Sequence, residues 1–305
     1  MLRERLDDIL APRPRPAPGG VPHDRALAAL VAETGVDLST ARVRVGLSRG
    51  HLLDVVVSVP LDVPGDAELL EECAELYLEQ VIGPYWFDAW IGSVGVARVA
   101  RSRGLLMVAE AGDGAETYPL VETAQLVRRG ILGLEAALPP TLLGVAHEQD
   151  WLALELSAGR GDCLQAERAF ASTWQPEALK AALEGLPFDS ARFTQADELF
   201  VWFAWRPPRD ALARLQLREE RERSLAEVAR DGGLCMVGSG FGPQRDYVDV
   251  LVRRDARPLV ELCGRWGVAL AAPAAAAEER EGDLELGFYD SELRARGFRL
   301  SRTGE

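Results

Sequence analysis

Apolar positions in this chain recur with two periods. One is the two-residue alternation of half-buried strands, and the other is the three-to-four-residue spacing of amphipathic helices. His23 to Glu33 carries Leu27, Leu30 and Val31 and stops at Gly35, which predicts a short helix. Arg42, Arg44 and Gly46 then alternate with Val43, Val45 and Leu47. After a turn at Arg49-Gly50, Leu53, Val55, Val57 and Val59 form a second inward face, so residues 42–60 read as a hairpin. Asp66 is suited to cap a helix over Leu69, Cys73 and Leu76, which ends at Gly83-Pro84. A second hairpin is expected over Ser93–Val99 and Leu105–Ala109, turning at Ser102-Arg103-Gly104. Leu120, Ala124, Val127, Ile131, Leu134 and Leu138, spaced 4, 3, 4, 3 and 4, mark the clearest amphipathic helix, and Pro139-Pro140 ends it.

Beyond that proline pair, Trp151–Leu156 reads as a strand, and Asp162–Ser172 and Pro176–Glu184 as helices. Glu198–Trp205 is apolar on both faces, the pattern of a strand covered twice. Residues 209–230 favour helix, although Arg218–Arg223 is charged at every position. Gly233–Val237 and Tyr247–Val252 predict a hairpin with Val248, Val250 and Val252 on one face. A last helix carries Leu259, Leu262, Cys263 and Trp266. Ala271–Glu281 reads as a low-complexity loop and Leu284–Tyr289 as an edge strand.

Hairpins alternating with helices point to an α+β fold of two modules, each an antiparallel sheet with helices packed on one face. The expected divisions are a Pro-rich N-terminal segment (1–22), an N-terminal α+β domain (23–145) and a C-terminal α+β domain (146–305). Proline at every second position from 12 to 18 makes the first of these an extended arm, with residues 1–10 a loose helical turn ahead of it.

Charge narrows the function classes. The 305 residues hold 34 Lys+Arg against 48 Asp+Glu, a net charge of -14. Nucleic-acid backbones and anionic membranes both demand clustered positive charge, so neither is an expected partner. Residues 1–10 have no apolar signal core, and Gly267–Ala277, interrupted by Pro273, is too short to span a bilayer. A cytoplasmic protein is expected. Lys180 is the only lysine, and the Arg-, Ala- and Gly-rich composition fits a GC-rich bacterial genome.

Candidate chemistry is sparse. Cys73, Cys163, Cys235 and Cys263 form no CxxC unit, and read as small buried thiols. Three histidines, with His147-Glu148 far from His23 and His51, make a multi-histidine metal site improbable. No metal or cofactor is expected. Gly238-Ser239-Gly240-Phe241-Gly242 lacks the following helix and the Gly-Lys-Ser/Thr of a phosphate cradle, and reads as a flexible hairpin tip whose Phe241 is open to a partner. Asp246 and Asp249, three apart on a strand, point to opposite faces and read as solvated positions rather than an acid/base pair. Tyr85-Trp86-Phe87-Asp88-Ala89-Trp90 is the densest aromatic segment. Core packing accounts for it, and the competing reading is an exposed anchor for a partner protein through Tyr85, Trp86 and Trp90.

In element order, Arg42–Leu47, Leu52–Val59, Asp66–Val81, Ser93–Ala109 and Leu120–Leu138 resemble the type III secretion chaperone-like proteins. That resemblance spans residues 24–138 and implies a non-enzymatic role in holding another protein. Residues 224–270, with Asp246-Tyr247-Val248-Asp249-Val250, resemble the ferredoxin-like domains related to the regulator of ribonuclease E activity B. Neither resemblance carries a functional residue over. The function expected is therefore a non-catalytic protein-binding factor of chaperone, adaptor or immunity type, engaging a basic or aromatic-complementary partner, with self-association left open. The alternative is an enzyme with a carboxylate/arginine site between the two domains, for which convergent Asp, Glu and Arg side chains in a deep pocket would be the mark.

Overall fold

The first ten residues are not a loose turn ahead of an arm. They form helix α1 (Leu2–Leu10), whose Leu6, Ile9 and Leu10 are fully or almost fully buried. That spacing sets the three on one face, and the face packs into the core of the C-terminal unit. The computed structural model describes residues 1–11, 19–47, 52–102, 105–107, 116–144, 149–156, 168–184, 186–270 and 283–302. The chain divides into a unit of residues 14–138 and a second made of 1–13 with 139–305. This replaces the expected division at 22 and 145, because burial of the α1 face ties the amino terminus to the second core. The proline-rich run 12–18, the turns at Arg49-Gly50 and Arg103-Gly104, the low-complexity run 271–281 and most of the helix expected over 162–172 lie outside the described residues.

The N-terminal unit opens with α2 (His23–Thr34), closed by Gly35 in the left-handed conformation (φ 74°), whose N–H bonds to the Val31 carbonyl. β1 (Arg42–Leu47) and β2 (Leu53–Pro60) form the expected hairpin, with Val45 opposite Val55. Asp66 accepts the Leu69 N–H at the start of α3 (Ala67–Ile82). Gly83, at φ 93°, lets the chain turn straight into α4 (Pro84–Trp90), with proline at its first position. β3 (Ile91–Ser102) then lies parallel to β2, and β4 (Leu105–Met107) returns antiparallel to β3. This one parallel pair departs from the antiparallel sheet expected, whose other pairs are antiparallel. Helices α3 and α4 carry the chain back to the end where β2 began, and a strand entered from that end runs in the same direction. β5 (Tyr118–Pro119) closes the order β4-β3-β2-β1-β5, and α5 (Thr123–Ala137) follows. The core contains Leu30 of α2, Tyr77 of α3, Trp90 of α4 and Ile131 of α5, together with Val43, Val55 and Val57 of the sheet.

The C-terminal unit adds β6 (Leu152–Glu155), β7 (Phe170–Thr173), α6 (Pro176–Glu184), β8 (Glu198–Trp205), α7 (Ala211–Ala229), β9 (Leu234–Phe241), β10 (Asp246–Arg253), α8 (Ala256–Arg265), β11 (Val268–Leu270), β12 (Leu284–Phe288) and β13 (Phe298–Arg302). Its eight strands run in the order β11-β13-β12-β8-β10-β9-β7-β6, antiparallel throughout. Within it, the series β8-α7-β9-β10-α8-β12 has the strand order β12-β8-β10-β9, the split βαβ arrangement of a ferredoxin-like domain. β12 is therefore interior rather than an edge. β13, which the periodicity did not reveal, covers it.

β8 is buried along nearly its whole length, as its two apolar faces predicted. Leu199, Val201, Phe203 and Trp205 face a core shared with α1, α7 and α8. Phe200 faces a second core with Trp174, Ala178, Phe188, Phe193 and Tyr289. This sheet is covered on both faces, not one. Residues 170–172, expected as helix, are strand: Phe170, Ala171 and Ser172 pair with Phe241, Gly240 and Ser239.

Candidate functional site

Three of the four residues singled out from the sequence belong to the core. Trp86 and Trp90 sit four apart on α4 and are 6% and 1% exposed. Tyr85 is half-buried, edge-on to Trp86 at 5.8 Å. The exposed-anchor reading of this segment is corrected, because α4 docks its indoles against α3 and the sheet. Phe241 does reach the surface, at 41% exposure, stacked on Phe170 at 5.3 Å and beneath the Arg214 guanidinium. It ends a strand rather than crowning a flexible tip, since β9 runs through Gly238 and Gly240. A Cβ on Gly240 would lie 2.5 Å from the Phe170 carbonyl oxygen, and one on Gly238 would lie 2.8 Å from Asp249 Oδ2. The glycines make room for β7 and for a carboxylate beneath the sheet.

Charged side chains converge inside the C-terminal unit, where the carboxylates of Asp246, Asp249, Asp290 and Glu198 each have partners from the same chain. Asp246 and Asp249 do point to opposite faces, but both are buried rather than solvated. Asp249 accepts from both Nη atoms of Arg168, at 2.7 and 2.5 Å, and from the Tyr289 hydroxyl at 2.8 Å. The Arg168 guanidinium lies 4.5 Å from the centre of the Tyr247 ring. Burial opposes its charge most strongly of any single cause, but Asp249 together with Tyr289 and Tyr247 outweighs it and holds Arg168 more firmly protonated than usual. On the other face, Arg214 Nε donates to Asp246 at 3.0 Å and Arg218 Nη2 donates to Ser239 Oγ at 2.8 Å.

Asp290, buried at the end of β12, accepts the Ser190 N–H at 3.0 Å and the Ser190 hydroxyl. Burial, with Asp189 nearby, pushes its carboxyl up to about 7. Glu198 accepts the Leu142 N–H at 2.9 Å and the Thr141 hydroxyl. These carboxylates tie loops to strands.

Burial also pushes the Cys235 and Cys263 thiols up to about 12, which keeps them protonated at neutral pH. Cys73 and Cys263 are buried, Cys235 is half-buried, and Cys163 lies outside the described residues. Among the described residues no group of three or more His, Cys, Asp or Glu side chains is placed to hold a metal ion, and no helix is long and apolar enough to cross a membrane.

Among the described residues, one surface groove of the C-terminal unit is mainly apolar. Between β6 and α6 runs an open groove of about 420 Å³, lined by Leu154, Leu156, Pro176, Leu179 and Leu183, with Glu177, Lys180 and Glu184 at its rim. Period-two geometry puts Leu152, Leu154 and Leu156 on one face of β6, and the i, i+4 spacing puts Leu179 and Leu183 on one face of α6. Trp151 and Leu152, at the start of β6, are 43% and 47% exposed. The sequence contained the signal, in the Leu152-Leu154-Leu156 alternation and the α6 stripe. What it lacked was their juxtaposition across more than twenty intervening residues.

A second groove of about 300 Å³, between the end of α7 and the start of α8, is lined by Asp231, Arg253, Asp255, Arg257 and Glu261. There Asp255 pairs with Arg257 at 2.5 Å. No protein-family model matches this chain, and no curated protein and no solved structure matches it either.

Proposed function

We propose that this chain is a non-catalytic protein-binding factor of the chaperone, adaptor or immunity type, and that the β6–α6 groove is where it holds its partner. The observation that carries the reading is the apolar groove of Leu154, Leu156, Leu179 and Leu183, continued by the exposed Trp151 and Leu152. Exposed apolar surface on an otherwise charged protein is the signature of a docking site. Asp249 and Asp246, by contrast, are paired internally with Arg168 and Arg214. The net charge of -14 supports a basic partner, through long-range steering. The resemblance of residues 24–138 to the type III secretion chaperone-like proteins supports the same class of role.

Lys180 makes the test site-specific. It is the only lysine and stands on the rim of the groove. An amine-reactive photo-crosslinker attached there, used in lysate of the native host, is expected to capture one stoichiometric protein. Leu183→Glu, carrying the same label, should lose that protein, and Lys180→Arg should report labelling at the amino terminus alone. Capture unchanged in the Leu183→Glu protein, or recovery of only a metabolite, overturns the reading.

A further inference from the structure

Resting on that reading, we propose that β6 receives the partner as an added strand: an extended, alternately apolar segment flanked by basic residues. The backbone of β6 carries the argument. Leu156 N donates to the Ala169 carbonyl oxygen at 2.9 Å, and the same register pairs Leu154 with Ala171 and Leu152 with Thr173. In an antiparallel ladder only alternate residues exchange bonds with a given neighbour. Leu152, Leu154 and Leu156 therefore bond to β7. Ala153 and Glu155 turn their N–H and C=O groups the other way, and among the described residues no strand lies on that side of β6. Of the devices that blunt native edge strands, Leu152-Ala153-Leu154-Glu155 has its short length and the charge of Glu155, but no proline or lysine.

An added strand in register with Ala153 and Glu155 sends every second side chain over the groove, against the half-buried Leu154 and Leu183, with the buried Leu179 as its floor. Charge decides between occupants. Among the described residues around this edge, Asp150, Glu155, Glu177 and Glu184 are exposed, against Lys180 as the one exposed base. A second copy of the chain would bring the same acids face to face, whereas a segment with Lys or Arg at its ends meets opposite charge.

The probe is a fluorescent peptide of alternating valine and threonine with two lysines at each end, titrated into the full chain and followed by anisotropy. It should bind wild type. Glutamates in place of the lysines should weaken it by about tenfold or more. Ala153→Pro removes one outward N–H while leaving the β6–β7 bonds intact, and should weaken the peptide by about tenfold. Leu183→Glu should weaken it as well.

If Leu183→Glu abolishes binding and Ala153→Pro does not, the groove reading survives and strand addition is overturned. If wild type does not bind, or binds the acidic peptide equally well, the proposal falls. A dimer in sedimentation that Ala153→Pro dissociates would name a second copy as the occupant and overturn it too.

Discussion

Asp249 grips Arg168 through both oxygens, at 2.7 and 2.5 Å, in a place where the arginine side chain has no exposure to solvent. The pair joins the centre of β10 to the residue leading into β7. Tyr289, arriving from the end of β12, completes the carboxylate's partners. Arg168, Asp249 and Tyr289 come from sequence positions at least forty residues apart.

This pair is a dependence rather than a net source of stability. Asp249→Ala should cost about 3–5 kcal/mol by leaving Arg168 buried and unpaired. Replacing both partners, as in Arg168→Met with Asp249→Leu, should cost much less than Asp249→Ala alone. Chemical denaturation of the three proteins measures the difference. A double variant less stable than Asp249→Ala would contradict the argument.

The glycines of β9 are placed for contact. Gly240→Ala sets a methyl 2.5 Å from the Phe170 carbonyl oxygen, a backbone atom that cannot swing away. We expect a loss of about 1–3 kcal/mol. Gly95→Ala, in β3 with nothing within 4 Å of the added atom, should lie within about 0.5 kcal/mol of wild type. Thermal unfolding of the two variants side by side provides the contrast.

Helix α1 is part of the second core. Ile9→Ala should destabilise the C-terminal unit by about 2–5 kcal/mol, the cost of emptying a fully buried aliphatic site. Hydrogen exchange should show lost protection in α8, its contact helix, while the helices of the N-terminal unit keep theirs.

Asp290 links stability to pH. Its carboxyl is raised to about 7 in the fold by burial and by Asp189, from an ordinary value of 3.8. Between those values the folded state holds a proton that the unfolded state releases, so this group's contribution falls as pH rises from about 4 to 7. Asp290→Asn removes the titration. Stability should therefore decline less from pH 5 to pH 8 in the variant than in wild type, by on the order of 2 kcal/mol. Parallel pH profiles by denaturant unfolding would show this, and superimposable profiles would refute it.

Local periodicity was enough to place most elements. The alternation in 42–60 and the two apolar faces of Glu198–Trp205 became the strands they predict, and the stripe from Leu120 to Leu138 became α5 with a short 3-10 turn ahead of it. The α+β class follows from their order, because each element's burial pattern depends on residues within a turn or two of one another. The opposite outlooks of Asp246 and Asp249 were legible for the same reason.

What neighbours what was decided only in three dimensions. The parallel run of β3 beside β2, the recruitment of α1 to the second core and the interior place of β12 each depend on which end of a sheet the chain re-enters. No short window of sequence encodes that. The burial of Asp246 and Asp249 had the same origin, since each carboxylate needs an arginine from a distant segment before it can leave water. The groove beside β6 likewise exists because a helix and an edge strand, each ordinary alone, stop short of covering one another.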